Sequence, residues 1–328
     1  MNQYRYTLIA MMLALLYSGA ASAFGCEFQT GSAAINMQMP VQGMNITVGP
    51  DTPDGTVIYR QYYKPAGRME VACHDNTTSY RPVLNYTYSQ TPRPISGYNS
   101  GPYAGKIYQT NIPGVGVAVF RGTGTGAPVM PFTQYSWPEP DTASSRVWVA
   151  QGGFDFDVVF VKIGAIQPGS LTGASLPTIS IYFNAQNITP IRVVQASFSG
   201  ALNIVSRSCT TPNVTVNMGS YGVEQFQNTG ASTSWKDASI ILTNCPRFYG
   251  MLVDGRNTYY SDNGSSGLGN FSANALSLTV RPNTPVIDTA NGIFSLQTGS
   301  GTASGVGIQL AQGKTSGGTI SLPASLTR

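Results

Sequence analysis

The sequence predicts an all-β protein of two sandwich- or barrel-like modules, and three observations predict it. Only 10% of the 328 residues are charged, so Lys, Glu and Arg are too scarce to coat helix faces. Alternating or β-branched runs recur along the chain, the mark of half-buried strands. Clusters of Gly, Pro, Asn and Ser separate those runs at short intervals, as in Pro50-Asp-Thr-Pro-Asp-Gly55, Gly122-Thr-Gly-Thr-Gly126 and Asp262-Asn-Gly-Ser-Ser-Gly267. The runs include Val115-Gly-Val-Ala-Val-Phe120, Phe154-Asp-Phe-Asp-Val-Val-Phe-Val161 and Ile179-Ser-Ile-Tyr-Phe183. Asn213-Val-Thr-Val-Asn-Met218, Ser239-Ile-Ile-Leu-Thr243 and Ala275-Leu-Ser-Leu-Thr-Val280 continue the pattern. A hydrophobic content of 41% and a net charge of +4 exclude long disorder. The positive charges are scattered, with no Lys/Arg block to follow a phosphate backbone, so no nucleic-acid partner is expected.

The first 23 residues have the form of an export signal. Arg5 supplies the charge, Leu8 to Tyr17 an apolar run, and Ala21-Ser22-Ala23 the small-x-small cleavage pattern. The run is too short to span a bilayer. The mature chain is expected to begin at Phe24 and to be exported.

Export makes the cysteines readable. Cys26, Cys73, Cys209 and Cys245 form an even set in an oxidising compartment, which argues for disulfides. Four cysteines allow three pairings. The long gap between Cys73 and Cys209 favours the local pairs Cys26–Cys73 and Cys209–Cys245, each near the start of its own module. The module boundary is expected near Ser206-Arg-Ser208. No CxxC is present and His74 is the one histidine, so neither a metal site nor a cofactor is expected.

Several segments resemble the two-domain tip adhesins of chaperone–usher fimbriae, most closely the type 3 fimbrial adhesins and more distantly the mannose-binding type 1 adhesin. In the first half these are Phe24-Gly-Cys26, Ile35-Asn-Met37, Val48-Gly-Pro-Asp-Thr-Pro-Asp-Gly-Thr-Val-Ile58, Val71-Ala-Cys-His-Asp-Asn76, Tyr108-Gln-Thr-Asn-Ile-Pro-Gly-Val-Gly116 and Ile166-Gln-Pro-Gly-Ser-Leu171. In the second half they are Cys209, Val214-Thr-Val-Asn-Met-Gly219, Ser239-Ile-Ile-Leu-Thr-Asn-Cys245 and Ala303-Ser-Gly-Val-Gly-Ile-Gln-Leu310. The resemblance implies two immunoglobulin-like β-sandwich domains. Residues 24–205 would be the receptor-binding adhesin domain. Residues 206–328 would be a pilin domain. Pilin modules of this kind continue past the Gly307-Ile-Gln-Leu310 strand, so this one is expected to be incomplete and C-terminally truncated.

The same resemblance implies a mechanism. A pilin domain lacking its last strand accepts one from a neighbouring subunit, or from a periplasmic chaperone before assembly at an outer-membrane usher. Phe24 and Gly25 alone would precede Cys26 in the mature chain, too little to donate, so the expected place is the fibre tip at the cell surface. The expected ligand is a host glycan or an extracellular-matrix protein. In the mannose-binding relatives the pocket is built by an N-terminal Phe, an Asn-Asp pair after the second cysteine and a Gln-Thr-Asn-Asn loop. By position these correspond here to Phe24, to Asp75 and Asn76 in reversed order, and to Asn184 and Gln186. Asn and Asp also serve as ordinary turn residues. The tyrosines Tyr59, Tyr62 and Tyr63 and the segment Phe132-Thr-Gln-Tyr-Ser-Trp137 form an alternative contact surface, unless they face inward. A structural minor pilin without receptor binding is the other function considered.

No enzyme is expected. A catalytic triad would have to use His74, and bridged cysteines are not nucleophiles. Asp155 and Asp157 alternate on one strand as a glycosidase pair would, but they read as the solvent face of a sandwich.

Overall fold

The computed structural model describes residues 24–64, 68–74, 80–122, 127–135, 146–151, 154–185, 188–254, 259–261, 264–266, 270–313 and 324–327. Among these the chain is strand and turn, with three short 3-10 turns and no α-helix, so the all-β expectation holds. No helix among them is long and apolar enough to cross a membrane. The chain forms two compact units. One runs through Ser206 and takes in Tyr249–Ser272, and the other combines Arg207–Phe248 with Ala273–Arg328.

The first unit begins with β1 (Gly25–Phe28), β2 (Ile35–Val41), β3 (Asn45–Thr47), β4 (Val57–Tyr63) and β5 (Arg68–His74). It continues through β6 (Val83–Gln90), β7 (Tyr108–Gln109), β8 (Val115–Arg121), β9 (Phe132–Tyr135) and β10 (Arg146–Gln151). β11 (Phe156–Lys162), β12 (Gly169–Thr172), β13 (Thr178–Asn184) and β14 (Ile191–Val205) follow. β4, β11, β8 and β7 lie in that order in one sheet, and β12, β14, β13, β6 and β9 in another. β1, β5 and β10 form a short third sheet. β14 is long enough to gather four partners: antiparallel β12 and β13, and parallel β2 and β3.

The core lies where the inner faces meet. β4 sends in Tyr59 and Tyr63, β11 Phe156 and Phe160, β6 Tyr86, and β13 Ile179 and Phe183. Tyr59 stacks on Phe160 with ring centroids 4.9 Å apart, and Tyr63 meets Phe198 edge-on at 5.9 Å. On β4 the buried side-chain polar groups are paired, as burial demands. The Tyr63 hydroxyl donates to the Pro40 carbonyl at 2.8 Å, and the Gln61 side chain donates to the same oxygen at 3.2 Å. β11 is a near-continuous apolar run because it is covered on both sides. Val159 and Val161 pack outward under Ile107, Tyr98 and Tyr103 from the 95–107 segment.

The remaining edge of β4 is also occupied. β15 (Met251–Asp254) and β16 (Tyr259–Ser261) run parallel to it, with Leu252 opposite Tyr59 and Tyr259 opposite Tyr62. β17 (Gly264–Ser266) pairs with β16 and β18 (Asn270–Ser272) with β15. This pairing covers the β4 edge at Tyr59, Tyr62 and Tyr63.

The second unit carries β19 (Ser277–Val280) paired with β23 (Ala324–Thr327), and a small sheet of β20 (Val286–Asp288), β21 (Ile293–Ser295) and β22 (Gly307–Gln309). The strands expected over 213–218 and 239–243 do not form. Thr210 and Thr243 exchange backbone hydrogen bonds of 2.8 and 3.0 Å, but this is an isolated bridge. An alternating pattern gives a segment strand propensity, whereas a strand also needs a ladder partner.

Both expected disulfides, Cys26–Cys73 and Cys209–Cys245, are formed. The first joins residues directly opposite each other in the β1–β5 ladder.

Candidate functional site

Two of the five residues expected at a binding site, Phe24 and Asn184, are among the described residues. Asp75, Asn76 and Gln186 lie outside them, as does the leader 1–23. Phe24 precedes β1, whose Gly25 pairs with His74 at the end of β5. Its half-buried ring packs on Tyr80 with centroids 4.9 Å apart. Asn184 ends β13 directly opposite Val83, the first residue of β6. The segment from Tyr80 to Val83 thus carries the neighbour of each.

Register places Asn184 in a row across three strands, Asn184–Val83–Tyr135. The next row is Thr133–Asn85–Tyr182–Arg192. Directly opposed residues share a face of the sheet, so these side chains line the outer, polar face. Thr133 donates its hydroxyl to the Asn85 side-chain oxygen at 3.0 Å. Tyr135 is 55% exposed, and the Arg81 guanidinium lies 3.7 Å from its ring centroid. Phe132 faces the other way and stacks on Tyr86 at 4.4 Å. The Phe132–Trp137 segment is therefore divided: Phe132 belongs to the interior and Tyr135 to the surface, while Ser136 and Trp137 lie outside the described residues.

The tyrosine cluster is divided in the same way. Tyr59 and Tyr63 are buried core residues. Tyr62, of opposite parity, donates its hydroxyl to the Asp155 carboxylate. Burial is the chief reason its phenol is pushed well above the usual tyrosine range, and the Asp155 hydrogen bond adds to it. Asp157 corrects the expectation of a solvent face. It is only 1% exposed, covered by Arg60, whose Nε lies 2.9 and 2.8 Å from its two oxygens. Tyr62 and Arg60 hold the two carboxylates in structural contacts, one each.

Asn85, Tyr182 and Arg81 had no place in any expected site, while Tyr135 belongs to the segment expected as an alternative contact surface. Alternation puts Tyr182 and Asn184 on one face, but Asn85 and Tyr135 join them only through strand pairing.

No family model and no curated protein sequence matches the chain. Among solved structures it is similar to the receptor binding domain of the plasmid-born adhesin MrkD1P of Klebsiella pneumoniae. That match has 22% identity and a TM-score of 0.37, over 57% of this chain and 99% of that one. It is also similar to the CupB6 tip adhesin of Pseudomonas aeruginosa, with 11% identity and a TM-score of 0.27, over 53% of this chain and 43% of that one. A third is the CooA pilin subunit of enterotoxigenic Escherichia coli, with 11% identity and a TM-score of 0.19, over 56% of this chain and 99% of that one. These three structural neighbours are two adhesins and a pilin.

Proposed function

We propose that the chain is a chaperone–usher fimbrial tip adhesin. Residues 24–205 bind a host glycan or matrix protein, and residues 206–328 accept a donated strand from the adjacent pilin subunit. A periplasmic chaperone holds the second domain before the outer-membrane usher passes the protein to the cell surface. The observation that carries this reading is the apolar surface of the second unit: Val223 is 87% exposed and Ile241 69%. Ile241 lies between the partners of the Thr210–Thr243 bridge and beside the Cys209–Cys245 disulfide in sequence. Exposed apolar side chains beside unpaired backbone suit a module that gains an alternating strand from a partner.

In the first domain, Phe24, Asp75, Asn76, Asn184 and Gln186 would form the receptor site. Polar side chains fix hydroxyl positions, and an aromatic ring supplies a wall. The test is a glycan array alongside immobilised collagens, probed with the full chain and two variants. Asp75→Ala and Asn184→Ala should each weaken binding at least tenfold, the effect of about 1.5–3 kcal/mol. Normal binding by both, with loss in Tyr62→Ala, moves recognition to the Tyr62 face. Hydrolysis of an arrayed glycan makes the protein an enzyme. For the second domain, a synthetic alternating apolar peptide should slow hydrogen exchange around Ile241 in the full chain. Exchange that is already slow without any partner overturns strand acceptance.

A further inference from the structure

We propose that the first unit carries a second ligand site, a cleft between the 96–99 loop and the 110–115 turn, and that it takes a neutral saccharide. The cleft has a volume of ≈ 590 Å³ and is also lined by Ile163–Ala165. That size lies within the range of small-molecule pockets. The site is separate from the Phe24 and Asn184 positions, and the proposal stands without the receptor site suggested there.

Both walls are held before any ligand arrives. On one side, Thr110 donates its hydroxyl to the Val115 carbonyl at 2.9 Å and accepts from the Ile112 amide at 3.1 Å. Gly114 has φ +81, and a Cβ there would lie 2.2 Å from the Ala165 carbonyl oxygen. Glycine therefore lets this turn lie directly on the 163–165 segment, where the Ile163 amide donates to the Gly114 carbonyl at 2.9 Å. On the other side, the Ser96 amide donates to the Ile107 carbonyl at 2.7 Å. Tyr98 packs into the small outer cluster with Ile107 and Val161. A preformed site spares the ligand the cost of ordering it.

The chemistry of the lining selects the ligand. Ser96, Asn99 and Gln109 offer hydroxyl and amide groups that both donate and accept, and Tyr98 adds an aromatic ring. No charged side chain lines the cleft. The adjacent Lys162 is buried, and its ammonium lies 2.5 Å from Asp54. An anionic or cationic ligand finds no counter-charge here. A ring that presents hydroxyls at its rim and C–H groups on its face matches this set of groups.

Gly97 supplies the test. It lines the cleft, and a Cβ built on it meets nothing within 4 Å. Gly97→Trp therefore fills the cleft while leaving the fold in place, as circular dichroism and the melting temperature will report. Saturation-transfer NMR on the full chain uses lactose, cellobiose, maltose and chitobiose at millimolar concentration, with sialyllactose as the charged partner of lactose. The expected result is transfer to at least one neutral disaccharide, none to sialyllactose, loss in Gly97→Trp, and about tenfold weaker binding in Gln109→Ala. Asn184→Ala should bind as the parent does. Absence of transfer to every neutral disaccharide overturns the proposal, as does binding that survives both Gly97→Trp and Gln109→Ala. Loss with Asn184→Ala alone assigns the saccharide to the other site and overturns it too.

Discussion

Arg60 reaches from β4 to the Asp157 carboxylate on β11, and the two ends of this ion pair differ in exposure, 24% for the arginine side chain and 1% for the aspartate. Removing the cation leaves a charge buried without its main partner, which costs more than the pair itself contributes. Arg60→Leu should lose about 3–5 kcal/mol in urea unfolding. Arg60→Leu combined with Asp157→Leu should recover most of that loss.

The tyrosines give the fold an alkaline limit. Burial raises Tyr62, Tyr86 and Tyr88 above the ordinary value, and for Tyr62 the Asp155 carboxylate raises it further. The folded chain keeps these protons where the unfolded chain loses them. Their contribution is fully present below the unfolded value of about 10 and is lost as pH climbs above it. Stability should therefore be flat through neutral pH and fall steeply above about pH 10. Absorbance titration at alkaline pH should show a late tyrosine class that ionises together with unfolding. Tyr62→Phe should make the alkaline fall shallower.

The Tyr59–Phe160 stack is in the fully buried core. Phe160→Ala should cost about 3–5 kcal/mol, the transfer energy of the ring plus the cavity left behind. Ile241→Ser, at a side chain 69% exposed in the second unit, should leave the melting of the first unit unchanged and reduce dye binding to exposed apolar surface.

The Cys26–Cys73 bridge closes a separation of 47 residues. Replacing both cysteines by serine should destabilise the first unit by about 4 kcal/mol on the chain-entropy estimate. The parent chain should show no reactive thiol before reduction and four after reduction in denaturant.

Gly114 and Gly97 flank the same cleft with opposite tolerances. Gly114→Ala meets both a positive φ and the Ala165 carbonyl, so it should cost at least about 1–3 kcal/mol. Gly97→Ala should be close to neutral, because nothing lies near its Cβ. Thermal melts of the two variants compare them directly.

Much of this protein is legible from its amino-acid order. Period-two alternation marks β8, β11, β13 and β19, because side chains alternate faces along any strand wherever it pairs. Scarce charge and frequent turn residues exclude helices, and cysteine spacing gives both disulfides. Alternation also sets Tyr59 and Tyr63 against Tyr62, but it does not say which side is the interior. Packing of β4 against β11 and the facing sheet decides that, and it buries Asp157 under Arg60 where a solvent face was expected. Pairing decides the rest: β2 lies parallel to β14 from far along the chain, Asn184 joins Val83 and Tyr135, and 213–218 and 239–243 form no strand. Periodicity is a property of neighbouring residues, whereas a ladder partner and the covered face are chosen by contacts distant in sequence, whose free energy local propensity does not contain.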